Sequence, residues 1–255
     1  MLIKYPFIKL KELWFMPFDP CQKADIVRYM QAPCSEGLSF CKAFHTLAID
    51  LTKSEETILS KIKKDTKYEI RRAESKDKII CRLLNSSEIT NIEIQEFCRF
   101  HNQFARIKGL RPVNQRRLRS MWQTDMLQLS LARTPDGENL VWHAYISSGR
   151  RARLLYSSSQ LHIARDSAFR SLIGRANRLL HWEDIMTYKK MRWSLYDLGG
   201  WYEGKVDTEK LRINKFKEEF GGNLHIEYNG MSFVSVKGKA LKSSFALLLR
   251  LKHIV

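Results

Sequence analysis

The sequence predicts an α/β fold built on one mixed sheet flanked by helices. Two observations carry that reading. Strand-like and helix-like stretches follow in the order strand, helix, strand, two helices, three strands, helix, strand, helix, strand pair. The three consecutive strands are joined by short turn sequences that favour antiparallel neighbours, Pro135-Asp136-Gly137 and Ser148-Gly149-Arg150. No internal repeat interrupts this order.

Taken along the chain, residues 1–43 read as an irregular N-terminal arm or partial domain, because Pro6, Pro17, Pro20 and Pro33 forbid long helices. Residues 44–236 read as the main domain. Phe44–Leu51 alternates like a strand, and Thr52 or Ser54 can cap a helix with Glu55 and Glu56 in its first turn. That helix carries Ile58, Ile62, Ile70 and Ala73 as its apolar stripe, opposite Lys61, Lys63, Lys64, Lys67, Arg71 and Arg72. A short strand at 79–84 follows, then helices from Ser86 to about Lys108 and from Asn114 to about Met126. Strands are expected at 127–133, 140–147 and 152–158, and a long helix at 164–191 whose buried stripe includes Ile173, Ala176, Leu180 and Met186. A strand ending at Gly199-Gly200 leads to a helix opened by Asp207 or Thr208 and closed by Gly221-Gly222. Asn229-Gly230 signals a hairpin between strands at 224–228 and 232–236. Residues 237–255 hold a basic amphipathic helix, 240–252.

With 255 residues, 44% of them hydrophobic and 11% aromatic, the chain can bury a real core, which excludes a disordered basic tail. Lys and Arg outnumber Asp and Glu by 44 to 27, a net charge of +17 that calls for anionic company: nucleic acid, phosphorylated substrates or an acidic membrane surface. Five cysteines, an odd number with no C-x-x-C pair, form neither a disulfide framework nor a zinc set and read as free thiols in a reducing cytosol. Lys4, Lys9, Lys11 and Glu12 interrupt any signal-peptide core, and no run approaches the ~20 apolar residues of a membrane span. A cytoplasmic protein is therefore expected, with the C-terminal helix offering at most marginal peripheral contact with an acidic membrane.

The motifs of P-loop, Rossmann, α/β-hydrolase and zincin sites are absent. The histidines at 45, 101, 143, 162, 181, 225 and 253 are scattered and read as structural or exposed. Three segments remain: Asp65–Glu74 with its Ile70-Arg71-Arg72-Ala73 core; His181–Met186 followed by Tyr196-Asp197-Leu198-Gly199-Gly200; and Asn214–Gly222 with Phe216-Lys217 and Phe220-Gly221-Gly222. In this order and spacing they resemble the FemABX family of peptidoglycan bridge aminoacyltransferases, built on the Gcn5-related N-acetyltransferase (GNAT) fold and related to BioF2-like acyltransferase domains. The resemblance covers roughly residues 44–236. The chain departs from the family in having room for only one such domain. It also departs from acetyl-CoA users in lacking their phosphate loop, the corresponding stretch being Gln160–Asp166.

What the resemblance implies is an N-acyltransferase that moves an aminoacyl or acyl group from an activated donor onto an amine of a cell-envelope precursor. Aminoacyl-tRNA is the favoured donor, acyl-CoA the alternative; neither a metal nor a tightly bound cofactor is implied. Lys217, beside Phe216, would steady the oxyanion of aminolysis, against the plainer reading of a solvated helix lysine. Asp197 would orient the acceptor amine or take its proton, or else tie down the Gly-Gly turn. Glu183, on the helix stripe, would act as a base or pair with an arginine. Lys67, Arg71 and Arg72 suit the diphosphate of a nucleotide-linked acceptor, or form a solvated face. Tyr156 and Ser158 end a central strand where this fold splays to admit the donor. Trp201 and Tyr202 would stack on a sugar or base, or simply pack. Between Arg99 and Arg119 lie seven basic and no acidic residues. That cluster, with Arg111, Arg116, Arg117 and Arg151 as the chosen contacts, suits an extended polyanion such as a tRNA acceptor arm. Two rivals stand beside this reading: an acyl-CoA-dependent N-acyltransferase of a nucleotide-linked amino sugar in polysaccharide biosynthesis, and a non-catalytic RNA-binding relative.

Overall fold

The computed structural model describes residues 2–4, 8–163 and 166–242. Its contacts divide the chain into two units, residues 1–46 with 225–255, and residues 47–224. The last strand therefore groups with the N-terminal segment, a division different from the expected 44–236 domain.

The first unit replaces the expected irregular arm with strands. β1 (Leu2–Lys4) pairs antiparallel with β2 (Lys9–Trp14), which runs parallel to β3 (Ile26–Ala32). β10 (Asn223–Phe233) pairs antiparallel with β3. No helix forms among the described residues of 1–43, as the prolines require, but Pro17, Pro20 and Pro33 occupy the connections and leave room for strands between them. A small core of Ala24, Val27, Tyr29 and Ala32 holds this unit. The expected hairpin at Asn229-Gly230 is also absent. Tyr228, before this dipeptide, and Gly230–Phe233 pair with the same strand β3, and the register shift between Tyr228 and Gly230 is a bulge whose Asn229 Oδ1 accepts the Gln31 backbone N–H at 2.9 Å. The expected C-terminal helix lies outside the described residues from 243 onward.

The second unit is the mixed α/β layer structure that the sequence predicts. The end of β4 (Ser39–Asp50), then β9 (Leu195–Gly200), β8 (Arg151–Ser159), β7 (Asn139–Ser148), β6 (Leu127–Arg133) and β5 (Ile80–Leu84) lie side by side. β5 to β8 are antiparallel neighbours, whereas β8 and β9 are parallel. The expected single basic helix is two: α1 (Glu55–Lys61), capped by Ser54, and α2 (Lys64–Ser75). The break falls at Ile62 and Lys63, where Ile62 is buried in extended geometry and the Lys63 N–H donates to Glu219 O at 2.9 Å. α3 (Asn91–Ile107) begins at a Thr90/Glu93 capping box, and α4 (Gln115–Trp122) at Asn114. α5 (Ser167–Lys190) and α6 (Thr208–Glu218) start at Asp166 and Asp207 caps.

Alternation along β7 assigns the two faces of this sheet. Trp142 meets Phe97 of α3 at a ring separation of 6.1 Å, while the next residue, His143, reaches Asp184 of α5. Helices therefore cover both faces, and β7 is buried almost throughout. Gly222 closes α6 with φ 103°, and a Cβ there would sit 2.8 Å from Ala48 O. Because that obstacle is backbone, Gly222→Ala is expected to cost about 2 kcal/mol or more, read as a lower urea midpoint with an unchanged m-value.

Candidate acyl-transfer site

The site begins where two parallel strands part. Hydrogen-bonded pairing of β8 with β9 covers only Arg151–Arg153 against Leu195–Asp197. Beyond it a cavity of about 550 Å³ opens between Leu154, Ser157 and Ser159 of β8 and Leu198 of β9. Phe104 and Lys108 from the end of α3 and Asn177 and His181 from α5 also line it, so side chains from both faces of the sheet meet there. α6 supplies Glu209, Arg212, Ile213, Phe216 and Lys217, the repeat of one helical face. Lys108 and Glu209 pair at 2.7 Å and link the two helices.

Lys217 is buried, and its Nζ donates to Gly199 O at 3.2 Å and to Gly200 O. An ammonium has three protons, so one remains for a group in the cavity. Burial, then the nearby Arg153 guanidinium, pushes its pKa down to about 8, with Asp197 opposing. The lysine is thus mostly charged at neutral pH but held in a poorly solvated place. The two carbonyls that seat it come from the Gly-Gly end of β9. Gly199 has φ 80°, and a Cβ there would lie 3.0 Å from Leu154 O. Only glycine fits this turn comfortably, which explains why the sequence places a glycine pair here.

Asp197 lies under that turn with no exposed surface. Its Oδ2 accepts from Arg151 Nη2 at 2.5 Å and Nε at 3.2 Å, and its Oδ1 accepts the Gly199 N–H at 2.7 Å. Arg151 is itself buried, so the two residues chosen for acceptor and donor chemistry instead face one another. Neither lines the cavity.

The other chosen residues fall into separate places. Glu183 sits on α5, half-buried and outside the cavity lining; burial and then Glu74 raise its pKa, with Lys190 opposing. Tyr156 and Ser158 point to the α3 face, where Ser158 Oγ meets His101 Nδ1 at 2.7 Å and the Tyr156 ring lies 4.8 Å from that of His101. A bulge opposite Ala144 and Tyr145 shifts the strand's alternation. Consequently Ser157 and Ser159 line the cavity in place of Tyr156 and Ser158. Trp201 and Tyr202 line a neighbouring hollow of about 270 Å³ with Gly200, Lys210, Ile213 and Asn214. There Asn214 clamps the Tyr202 backbone through bonds of 3.1 and 2.7 Å.

Arg71 and Arg72 are exposed on α2 and Lys67 is half-exposed, none of them on the cavity wall. Arg111 and Arg116 are exposed and Arg117 half-buried on the segment that continues from α3 into α4. Arg111 stands three residues after Lys108, within about 10 Å of chain reach of the cavity wall.

Sequence reasoning passed over a buried polar cluster behind the cavity. Asp184 Oδ2 accepts from Ser130 Oγ at 2.7 Å and Tyr145 OH at 2.5 Å, and lies 3.1 Å from His143 Nδ1. Tyr145 OH meets Tyr196 OH at 2.8 Å, and Tyr196 OH meets His181 Nδ1 at 2.7 Å. His143 Nε2 reaches Asn177 Oδ1 at 3.0 Å. The available signal was spacing. Asn177, His181 and Asp184 stand at i, i+4 and i+7 on α5, one face of a helix, and Glu183 lies off it.

No group of His, Cys, Asp and Glu suited to a metal ion occurs among the described residues, and the five cysteines are free. Among the described residues no helix is long and apolar enough to cross a membrane.

Comparison with protein-family models and with curated proteins found no match. Solved structures do match. FemX superposes with a TM-score of 0.63 at 10% identity, over 94% of this chain and 85% of that one. The C-terminal domain (DUF2156) of a putative lysylphosphatidylglycerol synthetase from Agrobacterium fabrum gives 0.53 at 12% identity, covering 87% and 72%. L-PGS from Bacillus licheniformis gives 0.52 at 9% identity, covering 88% and 72%. At these identities the likeness is one of fold, and the fold is the FemX-like one the three sequence segments resemble.

Proposed function

We propose that this protein is an N-acyltransferase that joins an acyl or aminoacyl group, carried on an activated ester or thioester, to an amine. The observation that carries the reading is Lys217: a buried ammonium held on two carbonyls at the wall of a cavity, with a proton to spare. Attack of an amine on an acyl carbonyl places negative charge on the carbonyl oxygen. A fixed cation in a poorly solvated pocket stabilises that charge more than water does, because little reorganisation is needed. The cavity would hold the acyl group against Phe104, Leu154, Leu161, Leu198, Ile213 and Phe216 and bring the two reactants together.

Aminoacyl-tRNA is the favoured donor. Support comes from Arg111 and Arg116, exposed on the segment that leaves the cavity wall at Lys108, where a polyanion entering the cavity would pass. The acceptor amine would belong to a nucleotide-linked or lipid-linked envelope precursor, as the FemABX resemblance implies, with the Trp201–Tyr202 hollow available for its sugar or base. An acyl-CoA donor is the second reading, favoured by the largely apolar cavity wall, which suits an acyl chain.

A labelled-transfer assay decides among these. Aminoacyl-tRNA and acyl-CoA donors are compared on UDP-linked amino-sugar and muropeptide acceptors, with and without RNase. Transfer from aminoacyl-tRNA that RNase abolishes is the expected result. Transfer that survives RNase selects the thioester donor, and no transfer from any donor, with tight RNA binding, selects a non-catalytic binder.

A further inference from the structure

We propose that His181 is the proton acceptor for the attacking amine, and that Tyr196 and Tyr145 relay its charge to Asp184. The proposal rests on the acyl-transfer reading and deepens it, since Lys217 can steady an oxyanion but cannot, while charged, take a proton. Glu183 and Asp197, the carboxylates chosen from the sequence for that task, do not reach the cavity.

The direction of the relay follows from counting donors. Tyr145 OH has three partners, Asp184 Oδ2 at 2.5 Å, Tyr196 OH at 2.8 Å and His143 Nδ1 at 3.0 Å; it donates its one proton along the shortest, to the carboxylate, and therefore accepts from Tyr196. Tyr196, having spent its proton on Tyr145, must in turn accept from His181 Nδ1–H. That fixes the neutral tautomer of His181 with the proton on Nδ1. Nε2 then carries a lone pair, and it is the nitrogen left to a ligand, because the His181 side chain lines the cavity.

Burial, followed by His143, Lys217 and Arg178, holds the His181 pKa well below its ordinary value, so the ring is neutral and ready to accept at neutral pH. The groups facing it are His143 and Tyr145 from β7, Tyr196 from β9, Arg178 and Asp184 from α5, and Lys217 from α6. A lone buried imidazolium among these cations would be a poor product. The relay removes that difficulty. When Nε2 takes a proton, Nδ1 passes its own to Tyr196, Tyr196 passes one to Tyr145, and Tyr145 passes one to Asp184. His181 ends neutral as the other tautomer, and the charge cancelled is that of the buried carboxylate. Both tyrosines stay protonated throughout, in keeping with phenol pKa values that burial pushes well up.

The step balances. The amine nitrogen forms the C–N bond, its N–H proton goes to His181 Nε2, and the C–O or C–S bond of the donor breaks. The leaving oxygen or sulfur then takes the proton back from Nε2, returning the relay to its first state.

Nitrogen-15 NMR of the histidine rings in the intact protein tests the relay without any substrate. The expected wild-type signature is His181 protonated at Nδ1 and bare at Nε2. In Asp184→Asn the side-chain amide can donate to Tyr145, which reverses the chain and should move the proton to Nε2. With the lone pair turned away, transfer should fall about a hundredfold, and about tenfold in Tyr196→Phe, which breaks the chain with little change of shape. Wild-type His181 protonated at Nε2, or a tautomer unmoved by Asp184→Asn, overturns the relay. A full transfer rate in His181→Gln overturns the base. Absence of transfer by the wild-type protein from every donor overturns the acyl-transfer reading instead, and is told apart because the tautomer signature survives it.

Discussion

Replacing Lys217 by methionine is expected to lower acyl transfer on the order of 10²–10³-fold, the usual effect of removing one oxyanion donor. The side chain is close in length, so KM should change less than kcat. The pH dependence sharpens the test. Because burial holds the Lys217 pKa down at about 8, the wild-type rate should fall as pH rises through that value, when the ammonium is lost. Lys217→Arg, which stays charged over the working range, should remove that alkaline limb. Stability should move in the opposite sense. The unfolded chain keeps the lysine proton to about 10.5 and the folded chain releases it near 8. Between those values the unfolded state binds more protons, so folding stability gains with rising pH, by roughly 3 kcal/mol at most. Lys217→Met should be flat across the same window in urea unfolding. A wild-type stability that falls from pH 8 to 10 through this group would contradict the buried, desolvated ammonium described above.

Local rules carried the second unit well. Periodicity, capping residues and turn dipeptides place the strands at 127–133, 140–147 and 152–158 within one residue of where β6 to β8 lie, and helices α3 to α6 within about five, because each of those signals acts over one turn or one hairpin. Phe216-Lys217 and Phe220-Gly221-Gly222 stand out in the sequence for a related reason: they are contiguous, and the glycines answer to steric demands that nothing else meets. The first unit was less legible. Its strands are short and separated by proline-bearing connections, and β3 finds its partner in β10, almost two hundred residues away. No local pattern announces such a pairing.

The candidate site is legible only where its residues are close together in the sequence. Tyr156 and Ser158 belong to the strand that lines the cavity but face α3, since one bulged residue in β8 inverts the alternation and no motif marks it. His181 and Asp184 lie inside a segment that carries the resemblance, and Glu183, between them in sequence, lies off their face of the helix. What gives His181 and Asp184 their partners is β7 and β9, which supply His143, Tyr145 and Tyr196 from distant parts of the chain. A histidine's meaning is set by those partners, and a scattered list of histidines does not contain them.

Breaking the Arg151–Asp197 pair should produce the largest loss of stability of any single polar change in the second unit. Both side chains are buried, and two guanidinium nitrogens serve one carboxylate oxygen at 2.5 and 3.2 Å. Arg151→Met takes the guanidinium and its two hydrogen bonds away from a fully buried carboxylate, and a cost of about 3–5 kcal/mol is expected in urea unfolding. Adding Asp197→Asn to that variant removes the buried negative charge, so the double variant should recover much of the loss and give a coupling energy of about 2 kcal/mol or more. Asparagine also keeps an oxygen for the Gly199 N–H, which holds the turn whose carbonyls seat Lys217. That makes the same pair of variants a test of chemistry as well as of folding. If Asp197 serves only to tie this turn, the double variant should retain transfer within about tenfold of wild type, with its alkaline limb still present because Lys217 remains seated. Should Asp197 take the acceptor's proton directly, transfer would instead collapse in every variant that lacks its carboxylate, however much stability the second substitution restores.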